Sequence, residues 1–135
     1  MLCLDTNAVI AAINQRIPKV RVRLTQALGD GIVVGIPTIV LFELRYGIKK
    51  SARAHENADM LSAFIALDVT LWPFDDEDAD EAGDIRAALE RAGTPIGPYD
   101  LLIAAQARRR GATLVTANER EFNRVPELKT EDWGA

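Results

Sequence analysis

Short apolar runs alternate with amphipathic stretches along the whole chain. Leu2-Cys3-Leu4 reads as a buried strand, and Ala8 to Ile13 follows in helical phase, so a helix is predicted from about Thr6 to Ile13. After a break at Asn14 to Pro18, Val20, Leu24, Ala27 and Leu28 recur at helical spacing, and Gly29-Asp30-Gly31 stops that helix. Ile32 to Ile36 predicts a second buried strand, and Pro37-Thr38 opens a helix. Its apolar residues, Ile39, Val40, Leu41, Phe42, Leu44, Tyr46 and Ile48, take up much of the circumference, the pattern of a helix that is buried or packs on a partner. Gly47 inside it permits close backbone approach. Ala58, Leu61, Phe64 and Ile65 mark a further helix, and Val69 to Trp72 a strand closed by Pro73.

Acids crowd the stretch from Asp75 to Asp84, which leads into a helix through Ala79, Ala82, Ile85, Ala88 and Leu89. Acids in its opening turns suit the positive end of the helix dipole. Gly93 to Pro98 is a stiff, turn-rich loop with Pro98 placed as a first helical residue. The helix it opens ends on Arg108-Arg109-Arg110, which suit the negative end of its dipole, and Gly111 stops it. Ala112 to Thr116 predicts another buried strand, Asn118 to Phe122 a short turn or helix, and Leu128 to Thr130 a last edge strand. Strands alternating with helices, with no Asn-Gly hairpin signal, predict an α/β domain: three layers, α/β/α, around a central parallel sheet of four to five strands.

Composition narrows this reading. A chain of 135 residues with 48% apolar residues makes one domain, 1–135, with an ample core. No apolar run approaches the roughly 18 residues of a membrane span. No basic region precedes the first apolar residues, so a signal peptide is not expected and the chain reads as soluble and cytoplasmic. Cys3 is the only cysteine, which excludes disulfide and cysteine-zinc frameworks, and the single His55 in a polar stretch argues against histidine-based catalysis. The net charge of −4 counts mildly against a nucleic-acid partner. Outside the acidic run the chain is net basic, and the local field decides what a cleft attracts.

Three acids then stand out. Asp5 ends the first strand and faces the crevice where open α/β sheets bind ligands, although a helix N-cap explains it equally well. Glu43 sits between Phe42 and Leu44, where burying a carboxylate without a partner is costly. Asp100 falls in the first turn after Pro98, where the helix dipole also accounts for it. The three can meet at one sheet edge if the 93–98 loop carries Asp100 there. Carboxylates without histidine or cysteine make an oxygen-rich site for a hard divalent cation, suited to metal-assisted phosphodiester hydrolysis.

Four motifs run in order: Leu4-Asp5-Thr6-Asn7; Ile36 to Gly47 with Glu43 inside it; Gly93-Thr94-Pro95-Ile96-Gly97-Pro98-Tyr99-Asp100 with the helix after it; and Leu114-Val115-Thr116-Ala117-Asn118 with Arg120-Glu121-Phe122. Together they resemble the PIN-domain ribonucleases, in particular VapC toxins of bacterial toxin–antitoxin pairs, and the resemblance spans essentially the whole chain. It implies a PIN-like fold and a Mg²⁺- or Mn²⁺-dependent endoribonuclease acting on structured RNA, often tRNA, and so inhibiting translation. It carries the metal-binding role to Asp5, Glu43 and Asp100, and the role of polar neighbours to Thr6, Asn7, Thr38 and Thr116. The family often has a fourth acid after the last central strand; Asn118 stands there, with Glu119, Asp80 and Asp84 as candidate substitutes. Arg45, Lys49 and Arg120 are the expected RNA contacts. The resemblance also implies a homodimer and a cognate VapB-like antitoxin whose C-terminal segment fills the active-site groove. Aspartate-nucleophile phosphatases and receiver-like domains fit less well, since Asn7 replaces the second acid that the phosphatases need and the receivers' acid pair is missing. A PIN-like scaffold that binds RNA or a partner without cleavage remains the alternative.

Overall fold

The computed structural model describes residues 1–135. Five strands and seven helices follow in the order β1 (Leu2–Leu4), α1 (Thr6–Asn14), α2 (Pro18–Gly29), β2 (Val34–Pro37), α3 (Thr38–Lys49), α4 (Ala54–Ile65), β3 (Thr70–Trp72), α5 (Asp76–Arg91), α6 (Pro98–Arg109), β4 (Thr113–Val115), α7 (Glu119–Phe122) and β5 (Lys129–Glu131). All strand pairs are parallel, in the order β3-β2-β1-β4-β5, and the helices flank the sheet in three layers. Leu2, Cys3 and Leu4 stand opposite Thr113, Leu114 and Val115. The chain therefore builds outward from β1 in one direction to β3, crosses back, and builds outward again through β4 and β5. The reversal lies between β1 and β4, the place where doubly wound sheets open a crevice at the carboxyl ends of their strands.

Leu4, Ile36, Leu114 and Val115 from the strands are buried against Val9, Leu24, Val40, Leu61, Ile85 and Ile103 from the helices. Cys3 is fully buried, and burial first and the nearby Asp5 charge second push its thiol well above its usual range, so it is an inert core side chain. Three expectations are refined. The second strand begins at Val34 rather than Ile32, because Ile32 and Val33 lie exposed in the turn that leads into it. Helix α3 buries only Val40 and Leu44 within the chain, and leaves Phe42 and Tyr46 more than half exposed. Gly47 faces open space rather than a packed backbone.

The Trp72 indole on β3 lies across β2 at Gly35. A Cβ at Gly35 would fall 2.1 Å from the ring, so only glycine fits there. Gly35→Ala is expected to destabilise the fold by ~1–3 kcal/mol through overpacking, read as a lower denaturation midpoint with an unchanged slope.

The acidic run does more than complement a dipole. Asp75 caps α5, and Asp78 returns a hydrogen bond to the Asp75 N–H in a capping box. Asp78 is fully buried and accepts from Arg109 Nε at 2.7 Å and Arg110 Nη1 at 2.7 Å, while Glu81 accepts from Arg108 Nε at 2.7 Å. The three arginines read as dipole partners of α6 instead bolt that helix to α5. This fixes α6, and with it Asp100 at its other end.

Candidate active site

Asp5 leaves β1 at the reversal point and is nearly buried. Its Oδ1 accepts from the Ala8 N–H at 2.9 Å, so it does cap α1, and the Thr116 side chain beyond β4 favours its charged form. The cap and site readings of Asp5 are thus compatible. The Thr6 hydroxyl donates to Glu43 Oε1 at 2.6 Å, drawing the middle of α3 toward the end of β1. Asp100 lies in the first turn of α6, brought to the same edge by the 93–98 loop, and its field is shared with Asp5 and Glu43.

A further carboxylate at this edge is Glu121, which sequence reasoning did not single out. Its Oε1 accepts from the Gly97 N–H at 2.9 Å, its Oε2 from Asn118 Nδ2 at 2.7 Å, and its charge acts on Asp100. Asn118, which stands where the family often has a fourth acid, donates to the Glu121 carboxylate. Its own N–H donates to Thr116 Oγ1 at 2.9 Å, which ties the Asp5 partner and the Glu121 partner together. One helical turn separates Asn118 from Glu121, and that phase was the available signal. Asp132, just past β5, is a second acid sequence reasoning missed, and its charge acts on Asp5.

The proposed substitutes lie elsewhere. Glu119 accepts from the Thr130 hydroxyl at 2.7 Å. Asp80 and Asp84 are exposed on α5, Asp80 in a groove with Asp76, Glu77 and Arg109. Thr38 accepts from the Phe74 N–H at 3.2 Å and so secures the exit of β3. Asn7 is exposed beside Thr116 and Asp132. Arg45 and Lys49 line a shallow groove between α3 and α4 with His55, and neither they nor Arg120 has an ion-pair partner.

Electrostatics set this edge apart. No lysine or arginine pairs with Asp5, Glu43 or Asp100. Burial, then Thr116 and Ala8 in opposition, and the charges of Glu43 and Asp132 leave the Asp5 carboxyl above its usual range. Burial, followed by the charges of Glu121, Asp5 and Glu43, pushes Asp100 up to about 6. Glu121 is held low by the Gly97 N–H, against its burial, and by Asn118. Crowded, uncompensated carboxylates of this kind, all oxygen donors, fit a hard divalent cation. No three of them converge closely enough to hold an ion by protein atoms alone.

The raised Asp100 carboxyl has a consequence for stability. A folded-state value near 6 against the usual 3.8 means the folded chain binds the proton more tightly than the unfolded chain, so stability falls as pH rises through that window. The metal-free protein is expected to melt at a higher temperature at pH 5 than at pH 7, and Asp100→Asn to lose this gain. A melting temperature that drops on acidification over that range would contradict it.

An apolar groove of about 360 Å³ adjoins the acids, between α1, α3 and α4. Glu43 stands in its wall with Ile10, Ile13, Leu44, Ile48 and Met60. Beside it, Phe42 and Tyr99 meet edge to face at 5.6 Å, each directly preceding a candidate acid.

Comparison with known proteins agrees with this geometry. A family model for the PIN domain matches residues 2–128. The tRNA(fMet)-specific endonuclease VapC of Shigella flexneri is 40% identical over 130 residues, 96% of each chain. Ribonuclease VapC2 of Rickettsia felis is 38% identical over 130 residues, also 96% of each. The structure of VapBC2 from Rickettsia felis, bound to a DNA fragment from the promoter, superposes with a TM-score of 0.91 at 36% identity over 98% of both chains. DNA-bound VapBC from Salmonella typhimurium superposes at 0.90 with 39% identity, over 98% of this chain and 97% of the other. With its sheet order, its acidic edge and these relatives in agreement, the chain belongs to the PIN domain family, among the VapC ribonucleases.

Proposed function

We propose that the chain is an endoribonuclease toxin of a toxin–antitoxin pair that hydrolyses phosphodiester bonds in structured RNA, with tRNA as the substrate class, using Mg²⁺ or Mn²⁺. The observation that carries this reading is the set of uncompensated carboxylates at the reversal point of the sheet. Asp5, Glu43 and Asp100 would hold the cation, with Glu121 as the neighbouring fourth acid. The cation would supply positive charge against the scissile phosphate and lower the pKa of a bound water. The chain's own residues do the rest. Thr6 fixes the Glu43 carboxylate through its 2.6 Å hydrogen bond, and the Ala8 N–H fixes Asp5 at 2.9 Å. Asn118 and the Gly97 N–H orient Glu121 from two sides. Arg45, Lys49 and Arg120, all free of ion pairs, would meet RNA phosphates, and binding would weaken with salt.

The solved relatives named VapBC are complexes, which supports a VapB-like antitoxin as the partner here. The apolar groove beside Glu43 suits a segment of that antitoxin, with the acids within its reach. The exposed face of Phe42, Tyr46 and Tyr99 suits a second copy of the chain, and the mass of the purified protein in solution tests the homodimer. No helix is long and apolar enough to cross a membrane.

The test is incubation of purified, antitoxin-free protein with total tRNA and Mg²⁺ or Mn²⁺. Discrete fragments are expected, suppressed by chelation and restored by the metal. Intact RNA under every metal condition would leave the alternative, a scaffold that binds RNA without cutting it.

A further inference from the structure

The loop that carries Asp100 to the sheet edge is gripped from outside by two side chains, and both come from one turn of chain at α7. Glu121 Oε1 accepts from the Gly97 N–H at 2.9 Å, and Arg124 Nη1 donates to the Pro95 C=O at 3.0 Å. The contacts reach across 24 and 29 residues, so neither follows from local structure. The Arg124 N–H bonds to the Glu121 C=O at 3.1 Å, which closes the turn between them. Phe122 and Val125, each directly following one of the two, are buried at 1% and 2% exposure. The turn that presents Glu121 and Arg124 is therefore seated in the core.

The loop is built to pass that grip on to Asp100. Pro95 and Pro98 each fix a backbone angle, so the segment between them moves as a unit. At its start the Thr94 N–H is tied to the Leu89 C=O at 2.9 Å. At its end the Gly97 C=O takes the Leu101 N–H at 2.9 Å and opens α6, with Asp100 in the first turn. The two carboxylates crowd the same point. A Cβ at Gly97 would fall 3.6 Å from Asp100 Oδ2 and 3.7 Å from Glu121 Oε1. One hydrogen bond at Gly97 would let the segment pivot about it, and the second, at Pro95, removes the pivot. Arg124 has no carboxylate within ion-pair distance, so its guanidinium is not drawn elsewhere.

We infer that Arg124 is a positioning residue for the cation centre. By holding the Pro95 C=O it fixes the 93–98 loop, and with it the place where Asp100 meets the cation beside Glu121. It touches neither the cation nor the RNA. This rests on the nuclease reading above. Carboxylates that close on one ion must be held to about half an ångström, and the groups packed behind them do the holding.

The competing account makes Arg124 a phosphate contact, the ordinary role of an exposed arginine near a nuclease centre. Arg124→Met separates the two, since it keeps the length of the side chain and removes the donor. Mn²⁺ alone is the first probe. Its binding to the purified, antitoxin-free chain, followed by the paramagnetic resonance of the free ion, is expected to weaken about 10-fold in Arg124→Met, the low end of what losing a group behind a metal ligand costs. The metal-free melting temperature should stay within a few degrees of the wild type. Arg124→Lys, which keeps a donor and the charge, should recover most of the affinity. In RNA cleavage, Arg124→Met should need more metal for half-maximal rate, with KM for RNA and the salt dependence unchanged. A phosphate contact does the reverse: it raises KM, lowers the salt slope by about one and leaves Mn²⁺ binding alone. That result, or wild-type Mn²⁺ affinity in Arg124→Met, overturns the inference. Weaker binding that comes with a melting temperature lowered by ~10 °C or more also overturns it, because loss of fold then explains the change. A wild-type chain that binds Mn²⁺ but cleaves no RNA strikes the nuclease reading alone, and the Mn²⁺ titration still decides the role of Arg124. A wild-type chain that binds no Mn²⁺ overturns both.

Discussion

Asp5→Asn and Asp100→Asn are each expected to reduce RNA cleavage by at least ~100-fold while the chain stays folded, since removing a single preorganised charge or donor from such a centre typically costs that much. The amide preserves shape. At position 5 the amide oxygen can still accept from the Ala8 N–H, so the cap of α1 survives, and at position 100 the change removes a charge that burial and three carboxylates oppose. The folded state should therefore gain stability as activity is lost. This opposite movement is the signature of a centre built to hold a cation rather than to hold the fold together. Assays of single-turnover cleavage alongside thermal melts in the absence of metal decide it. A variant that cuts normally, or one that loses activity only because it unfolds, would remove that acid from the centre.

Asp78→Ala is the second large effect, and it lies in the fold. Two guanidinium groups and the Asp75 N–H converge on this fully buried carboxylate. Burial alone would raise it, but the hydrogen bonds from Arg110 and Arg109 prevail and hold it down at about 2. Removing it leaves both arginines short of a partner and breaks the capping box, with an expected loss of ~3 kcal/mol, or roughly 10 °C in melting temperature. A carboxyl lowered on folding stabilises above its unfolded value, so this contribution is present above pH 3.8 and fades as pH falls through about 2. Equilibrium unfolding at pH 7 measures the loss; a change under ~1 kcal/mol would mean the arginines find other partners, with Asp75 and Glu77 the nearest for Arg109.

The alternation of strands and helices was legible because parallel strands buried on both faces have little choice of residue. Asp5 was legible for the same reason: a polar residue directly after a buried strand must lie at the strand's end. Glu43 could be picked out by its apolar neighbours, but its tie to Thr6 is a tertiary contact over 37 residues, beyond local pattern. Glu121 was not legible, because it meets this edge through tertiary hydrogen bonds, above all from the Gly97 N–H over 24 residues. Asp132 obeys the rule used for Asp5, an acid just beyond a parallel strand, but β5 is a three-residue edge strand with a weak signal. The role of Arg108, Arg109 and Arg110 was missed because a dipole account satisfied them locally. Only the packing of α6 on α5 shows that Arg109 and Arg110 bind the buried Asp78 and Arg108 the partly buried Glu81.

The reversal between β1 and β4 also sets when the centre can exist. Asp5 is among the first residues made, whereas Thr116, Glu121 and Asp132 are made only after the whole α/β body between them. Until β4 slots in beside β1, Asp5 lacks Thr116 and the later acids Glu121 and Asp132, with only Glu43 and Asp100 already made. A growing chain therefore carries no assembled centre while it is still being translated, and a polypeptide cut short before β4 never acquires one.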